Sequence, residues 1–230
     1  MFIMNKLGTD YGGWYFPEKH NLNQDSIIYS AGVGEDISFD LKIQNDLNCN
    51  IFLIDPTIKS ITHYEECKHF FLDKSFAFTG NIQPDYINYI QNLNPNFKKF
   101  NYLNIGLWDK KDELKFYKQT NENYVSQSLI DGMFGNNYDL VPVNSIKNIM
   151  NELNHTKIDV LKLDIEGAEI KVLEQMLKDN IFPNILCIEF DLKLKNKDTD
   201  NSTINLIQLL SKHQYIILKN DNWNITFQKI

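Results

Sequence analysis

Short apolar runs alternate with longer polar or periodic stretches along most of the chain. The runs are SIIYSAG (26–32), NIFLID (50–55), FNYLNIGLW (100–108), DVLKLDI (159–165) and NILCIEF (184–190). Strands that alternate with helical stretches predict βαβ units, and therefore a parallel sheet covered by helices on both faces. Two further runs, YIILKN (215–220) and NITFQKI (224–230), flank the turn sequence DNW. They predict a terminal antiparallel β-hairpin.

Acidic residues are crowded where the fourth run leads into a helix. The sequence DVLKLDIEGAEIKVLEQM (159–176) predicts a buried strand and then an amphipathic helix. The apolar face of that helix comprises Ile170, Leu173, Met176 and Leu177. Asp164, Glu166 and Glu169 lie at the junction. Because ligands bind beyond the carboxyl ends of parallel strands, this junction is a candidate site.

The length of 230 residues predicts a single domain, residues 1–230, with a core of ordinary size. We expect a cover segment at residues 1–24, with a packed N-terminal turn as the alternative, and an insertion between the second and third strands at residues 62–99. The aromatic side chains of this insertion are expected mainly in the core. A substrate pocket or a homo-oligomer surface is the alternative for them.

The charge balance and the cysteines exclude some classes of partner and site. The chain has 23 basic and 30 acidic residues, a formal net charge of -7, and no basic run, so no nucleic acid partner is expected. No apolar run reaches the roughly 18–20 residues of a membrane span, and no signal peptide pattern is present. Cys49, Cys67 and Cys187 form no C-x-x-C pair and are expected to be reduced thiols. A cytoplasmic location is predicted.

A glycine turn follows the first predicted strand, in the sequence YSAGVGEDISFD. Gly32 and Gly34 allow a ligand to approach the backbone closely, and Asp36 can cap the following helix. Asp55 ends the second strand, 21 residues beyond Gly34, a spacing at which an acid can accept the hydroxyls of a ribose. Ser30 lies on the strand just before the turn. We therefore predict an adenosine-containing ligand bound by these residues.

The details of this turn favour S-adenosylmethionine over NAD. The dinucleotide fingerprint has a third glycine where this chain has Ile37. Glu35 and Asp36 suit a cationic sulfonium and an amino group, whereas they are unfavourable beside a pyrophosphate. The alternative is that these acids only complement a helix N-terminus.

The sequence IDVLKLDIEGAEIKVLEQM strongly resembles the signature of FkbM-type methyltransferases. VPVNSIKNIMNELNHTKID, YSAGVGEDISFD, FLIDPT and LCIEFD are also similar to family segments, so the resemblance covers roughly residues 25–192. It implies a Rossmann-like class I methyltransferase fold with a mostly parallel seven-stranded α/β sheet. It also implies that Gly32, Gly34 and Asp55 hold S-adenosylmethionine, with Asp164 near the methyl group. The residues expected beside the adenine are Asn104, Gly106 and Leu107.

The carboxylates offer two kinds of chemistry. Asp164 or Glu189 is expected to act as the base that assists loss of a hydroxyl proton. The alternative is that the same two residues ligate a divalent cation. The family position of Glu166 suggests a catalytic role, whereas Glu169 is expected to complement the helix dipole.

The loop at residues 121–137 is a candidate substrate loop, with Tyr124, Ser126 and Ser128 as its contacts; a plain connecting loop is the alternative. The resemblance implies an S-adenosylmethionine-dependent O-methyltransferase acting on a hydroxyl of a sugar or sugar nucleotide in bacterial surface polysaccharide (capsule) synthesis. One alternative is a nucleotide-sugar or NAD-dependent oxidoreductase. The other is a noncatalytic module of the same fold that binds a partner.

Overall fold

The computed structural model describes residues 2–121 and 126–230. Its strands are β1 (Met4–Leu7), β2 (Trp14–Pro17), β3 (Ile27–Ala31), β4 (Asn50–Ile54), β5 (Phe100–Leu103), β6 (Gly106–Leu107), β7 (Asp112–Lys118), β8 (Gln127–Ser128), β9 (Tyr138–Asn144), β10 (Val160–Leu163), β11 (Ile185–Glu189), β12 (Tyr215–Asp221) and β13 (Asn224–Lys229). Its α-helices are α1 (Ser38–Leu47), α2 (Ile58–Leu72), α3 (Tyr86–Ile90), α4 (Ile146–Glu152), α5 (Glu169–Lys178), α6 (Asp191–Leu194) and α7 (Ser202–Lys212). A turn of 3-10 helix, Phe97–Lys99, precedes β5.

A seven-stranded sheet forms the centre of the molecule, in the order β12-β13-β11-β10-β3-β4-β5. The strands from β11 to β5 run parallel to one another, and β13 runs antiparallel to both of its neighbours. Each of the five apolar runs contributes a strand to this sheet. The predicted parallel sheet and the predicted terminal hairpin are therefore confirmed.

The prediction of a single strand over residues 100–108 is wrong, because the structure has two strands there, β5 and β6. β5 ends at Leu103, and the N–H of Ile105 donates to the Leu103 carbonyl at 2.9 Å, which turns the chain out of the sheet. β6 then pairs in parallel with β9. It belongs to a second sheet, of order β6-β9-β7-β8, that the apolar runs do not indicate.

The central sheet buries apolar side chains on both faces. On one face, α4, α5 and α7 cover a cluster that includes Leu161, and on the other, α1, α2 and α3 cover a cluster that includes Val160. These two neighbours of β10 point in opposite directions, as expected for a strand. The predicted apolar face of α5 packs into the first cluster. Each large apolar side chain buried in this way stabilises the fold by about 1.5–3 kcal/mol.

The insertion between β4 and β5 contains most of α2 and all of α3. Its Phe70 is buried in the second cluster, and Phe71, Phe76 and Phe78 pack against that cluster. These aromatic side chains therefore contribute to the core, as expected for most of them.

The predicted cover segment contains an antiparallel hairpin of β1 and β2, which the apolar pattern does not indicate. Trp14 and Phe16 of β2 are buried in the second cluster. The hydroxyl of Thr226 donates to the carbonyl of Tyr15 at 2.6 Å, which joins the hairpin to β13. The segment between β1 and β2 is thereby held near the central sheet.

The C-terminal ends of β3, β4, β10 and β11 meet at one edge of the sheet, because these strands are parallel neighbours. Side chains that follow these strands are brought together there, which makes this edge the place to look for a ligand site. Among the helices of the described residues, none is long and apolar enough to cross a bilayer.

Candidate active site

A cavity of about 480 Å³ opens at this edge of the sheet. Its volume lies within the range of small-molecule sites, roughly 300–1,000 Å³. The charged residues that line it are Asp10, Glu35, Asp36, Asp55, Lys162, Asp164, Glu166, Glu189, Asp191 and Lys195. Within the described lining, eight carboxyl groups therefore accompany two lysines.

The glycine turn after β3 forms one wall of the cavity. Gly32 has φ +75°, and a Cβ atom added there would lie 1.5 Å from the carbonyl oxygen of Asp164. Gly34 has φ +60°, but an added Cβ would meet nothing within 4 Å. Gly32 is thus required by the close approach of the chain after β10, whereas Gly34 lies beside open space.

Asp55 holds this turn in place. One of its oxygens accepts from the N–H of Val33 at 2.9 Å and of Gly34 at 3.3 Å, and from the Ser60 hydroxyl at 2.9 Å. The other oxygen accepts from the N–H and the hydroxyl of Thr57, at 2.8 and 2.7 Å. Both oxygens therefore bond to protein donors that fix the glycine turn against the start of α2. Direct contact of Asp55 with a ribose stays a prediction.

Asp36 joins the N-terminal segment to the turn. Its carboxylate accepts from the Thr9 hydroxyl at 2.6 Å and from the N–H of Ser38, in the first turn of α1, at 2.9 Å. Burial raises the pKa of Asp36. Asp10 and Tyr11, next along the chain from Thr9, line the cavity. A part of the predicted cover segment therefore lies at the cavity, with Tyr11 71% exposed.

Asp164 and Glu189 form a hydrogen-bonded carboxyl pair at the ends of β10 and β11. Burial and the charge of Asp164 raise the pKa of Glu189 to about 10. Burial also raises the pKa of Asp164, although the nearby charge of Lys162 partly offsets this. At neutral pH Glu189 therefore retains its proton and donates it in the hydrogen bond to Asp164.

Lys195 joins two further carboxylates of the cavity. Its ammonium group contacts Glu166 at 2.5 Å and also Asp191. Burial lowers the pKa of Lys195, but the charges of Glu166 and Asp191 outweigh this and raise the pKa overall. Burial and the charge of Glu166 raise the pKa of Asp191 to about 7. Lys195 thus stays charged and is engaged by its own acidic neighbours.

Glu169 shapes the loop between β10 and α5. It is 1% exposed, and one carboxylate oxygen accepts from the N–H of Ile165 at 3.0 Å and of Gly167 at 3.1 Å. Burial raises its pKa well above the ordinary value. Glu166 has φ +58°, an uncommon conformation for a residue other than glycine, and its carbonyl accepts from the Ser128 hydroxyl at 2.6 Å. These bonds hold the loop that carries Glu166.

A match to the Methyltransferase FkbM domain extends over residues 9–217. The chain belongs to the FkbM methyltransferase family. It is also similar to "Probable methyltransferase-like protein 24" of Rattus norvegicus and of Homo sapiens, each 46% identical over 46 residues. That stretch covers 20% of this chain and 13% of each relative, so the match spans a small part of their length. No solved structure matches the chain.

Most residues predicted for the cofactor line the cavity of this FkbM-family protein. They are Gly32, Gly34, Asp36, Asp55, Gly106, Leu107 and Asp164. Ser30 and Asn104 are not among the lining residues: Ser30 is fully buried in β3, and Asn104 is exposed between β5 and β6. A contact between the cofactor and these two side chains stays a prediction.

The three residues predicted to contact the substrate have different outcomes. Ser126 lines the cavity. Ser128 is fully buried, and its hydroxyl supports the loop at Glu166. Tyr124 lies outside the described residues.

The predicted catalytic and metal-binding side chains meet at the cavity, and a cation held by Asp164 and Glu189 stays a prediction. Asp164, Glu166 and Glu189 all line the cavity. Asp164 and Glu189, the pair predicted to ligate a cation, hydrogen-bond to each other. Across residues 2–121 and 126–230, no group of three or more His, Cys, Asp or Glu side chains is arranged to hold a metal ion.

Sequence reasoning missed several polar residues of the cavity, among them Lys162, Asp191, Lys195 and Asn224. Lys162 is 4% exposed and donates to the Gly32 carbonyl at 2.9 Å; its interruption of an apolar run was the available signal. Asp191 follows the β11 strand closely, in EFD. Lys195 and Asn224 also line the cavity. They had no local signal, because only the fold brings them to the edge of the sheet.

Proposed function

We propose that this FkbM-family protein is an S-adenosylmethionine-dependent O-methyltransferase of Rossmann-like class I fold. We further propose that it methylates a hydroxyl of a sugar or sugar nucleotide in bacterial surface polysaccharide synthesis. The family and the sheet, with its antiparallel β13, support the fold and the reaction class. The sugar acceptor follows from family resemblance. The three cysteines are buried free thiols, which suits the reducing cytoplasm.

The observation that carries the cofactor proposal is the acidic lining beside the glycine turn. Eight carboxyl groups line the cavity, and its two lysines are engaged, Lys162 with the Gly32 carbonyl and Lys195 with Glu166 and Asp191. A sulfonium and an α-amino group are stabilised by such surroundings, whereas a pyrophosphate is repelled. The open space beside Gly34 allows a ligand to approach the backbone. These features support S-adenosylmethionine over NAD.

Asp164 and Glu189 have different roles in the proposed proton transfer. S-adenosylmethionine, when bound, supplies a methyl group already activated by a sulfonium. Asp164, which accepts the hydrogen bond from Glu189, is placed at the cavity to accept the proton of an acceptor hydroxyl. Glu189 donates its hydrogen bond to Asp164 and keeps the carboxylate oriented. Asp164 is therefore proposed as the base, with Glu189 as a positioning residue.

Calorimetric titration with S-adenosylhomocysteine and, separately, with NAD tests the cofactor. We expect S-adenosylhomocysteine to bind with micromolar affinity, NAD not to bind, and EDTA to change neither result. Binding of NAD alone would favour the oxidoreductase. S-adenosylhomocysteine binding without turnover on a broad acceptor panel would favour the noncatalytic module.

Exchange of Asp164 for Asn tests the base. Asn is nearly isosteric but cannot accept the proton, so Asp164→Asn should reduce turnover by about 100-fold or more while S-adenosylhomocysteine affinity changes much less. Equal losses in both measurements would make Asp164 a binding residue only. Asp221→Asn removes an exposed carboxylate outside the cavity lining and is the matched control.

A further inference from the structure

Three buried acceptor oxygens of residues that line the cavity have no hydrogen-bond partner within the described part of the chain. One, Oε2 of Glu35, belongs to the glycine turn; the other two, Oδ2 of Asp191 and Oδ1 of Asn224, belong to the segments at β11 and β13. Asp191 is 2% exposed. A buried polar atom without a partner destabilises the folded protein, and a ligand that donates a hydrogen bond removes this penalty. The oxygens of Asp191 and Asn224 therefore indicate a ligand with hydrogen-bond donors.

Both oxygens belong to the part of the cavity that carries the carboxyl pair. Asn224, the first residue of β13, pairs with Glu189 at the end of β11, and Asp191 lies two residues beyond Glu189. The glycine turn follows β3, and β10 and β11 separate it from β13. A group bound by Asp191 and Asn224 would thus lie beside Asp164 and Glu189. This position fits the methyl acceptor rather than the adenosine end of the cofactor.

The charges around the two oxygens favour an uncharged ligand group. Asp164, Glu166 and Asp191 repel an anion, and the ammonium group of Lys195 already pairs with two of them. In the proposed complex the sulfonium of S-adenosylmethionine lies near Asp164, and a further cation on the acceptor would favour loss of the proton that Glu189 donates to Asp164. A hydroxyl group donates to both orphaned oxygens without changing any charge.

We propose that Asp191 and Asn224 form an acceptor subsite that binds two hydroxyl groups of an uncharged sugar ring beside Asp164. The inference rests on the proposed function and narrows its acceptor class. A sugar phosphate is excluded from this part of the cavity. The phosphates of a sugar nucleotide would have to lie outside it.

The subsite is tested with simple sugars as probes, on protein saturated with S-adenosylhomocysteine. A panel of methyl hexopyranoside epimers is titrated and followed by saturation-transfer NMR, together with the matching 6-phosphates and 2-amino-2-deoxy derivatives. We expect at least one neutral glycoside to bind, with its phosphate about 10-fold weaker or undetectable. We also expect the ammonium derivative to bind no more tightly than the neutral sugar.

Variants of the two residues provide the second measurement. Asn224→Ala removes one acceptor, and Asp191→Asn replaces the unpaired oxygen while retaining an oxygen for Lys195. Each should weaken binding of the neutral glycoside about 2- to 10-fold, the range of one hydrogen bond. Asp221→Asn, an exposed exchange outside the cavity, should change nothing. Thermal unfolding and S-adenosylhomocysteine affinity verify that each variant is folded.

The outcomes separate this inference from the proposed function. If S-adenosylhomocysteine binds but no neutral glycoside does, or if a phosphate or ammonium derivative binds more tightly, the subsite is wrong and the methyltransferase proposal stands. If S-adenosylhomocysteine does not bind, the proposed function fails, and the glycosides are titrated on the protein without it. Glycoside binding that is weakened by Asn224→Ala would then still support the subsite. Glycoside binding that neither Asn224→Ala nor Asp191→Asn weakens would overturn it.

Discussion

Replacement of Gly32 by Ala tests how tightly the glycine turn packs against the end of β10. An added Cβ would lie 1.5 Å from the carbonyl oxygen of Asp164, which belongs to the backbone and has no rotamer to move into. The chain after β3 and the chain after β10 would have to separate by about 2 Å to restore ordinary van der Waals contact. We expect Gly32→Ala to weaken the centre of the sheet.

Two contributions determine the magnitude. A residue with a Cβ at φ +75° costs about 1–2 kcal/mol. Separation of the strand ends also stretches the bonds from Gly32 N–H to the Ile54 carbonyl and from Asp164 N–H to the Ala31 carbonyl, both 3.1 Å. Each such bond stabilises the fold by about 0.5–1.5 kcal/mol. The free energy of unfolding should therefore fall by about 2–5 kcal/mol.

Gly34→Ala is the matched control, because Gly34 also has a positive φ but has open space around it. It should lose only the conformational part, about 1–2 kcal/mol. The effect on the entropy of the unfolded chain is the same in both variants and cancels from their difference. Urea unfolding followed by circular dichroism measures both free energies.

The pair of variants should also differ in ligand binding. The Cβ of Gly34→Ala enters space beside the cavity, so this folded variant should bind S-adenosylhomocysteine more weakly than the wild type. A Gly34→Ala variant at least as unstable as Gly32→Ala would refute the packing argument. Unchanged S-adenosylhomocysteine affinity would show that no ligand approaches the backbone at Gly34.

Three further predictions concern buried carboxyl groups. Asp55→Ala leaves the N–H groups of Val33 and Gly34 without their acceptor and should cost about 2–4 kcal/mol in urea unfolding; a loss under about 1 kcal/mol would contradict the role in the turn. Glu169→Ala removes two loop bonds in the same way, and we expect a similar loss together with weaker S-adenosylhomocysteine binding by calorimetry. The pKa of Glu189 rises from 4.5 to about 10 on folding, so the folded state retains a proton that the unfolded state loses between these pH values. This proton contributes a fall in wild-type stability of up to about 1.4 kcal/mol per pH unit across the window, and Glu189→Gln should remove this contribution, while the raised pKa values of Glu169 and Asp191 leave part of the decline in place. Equal slopes of the unfolding free energy between pH 5 and pH 9 in the wild type and in Glu189→Gln would contradict a proton on Glu189.

The central sheet was predictable because its signal is local. The apolar runs of β3, β4, β10 and β11 are each buried on both faces, so a few neighbouring residues suffice to identify a strand. The break at Leu103 was not predictable in this way. Its cause is the pairing of β6 with β9, more than 30 residues away in sequence, and apolar residues stand on both sides of Asn104 at the break.

The residues of the candidate site also differ in whether a local sequence pattern marks them. Gly32 and Asp164 could be found because the turn and the strand end each have a local pattern. Asp191 is close enough to β11 to have been considered. Lys195 and Asn224 could not be found, since each reaches the cavity only through the packing of α6 and β13 onto the sheet. When several strands each contribute residues to a site, the sequence predicts only those residues that lie together in one segment.

The three carboxylates crowded after β10 have three different contacts, and these contacts separate their roles. Glu169 binds two backbone N–H groups and is a structural part of the loop. Glu166 is paired with Lys195. Asp164 accepts the hydrogen bond of Glu189 and faces the cavity, so of the three it is the one placed to exchange a proton with an acceptor. The three carboxyl groups can therefore lie close together because Glu169 is bonded to backbone N–H groups, Glu166 is paired with Lys195, and Asp164 accepts a hydrogen bond from protonated Glu189.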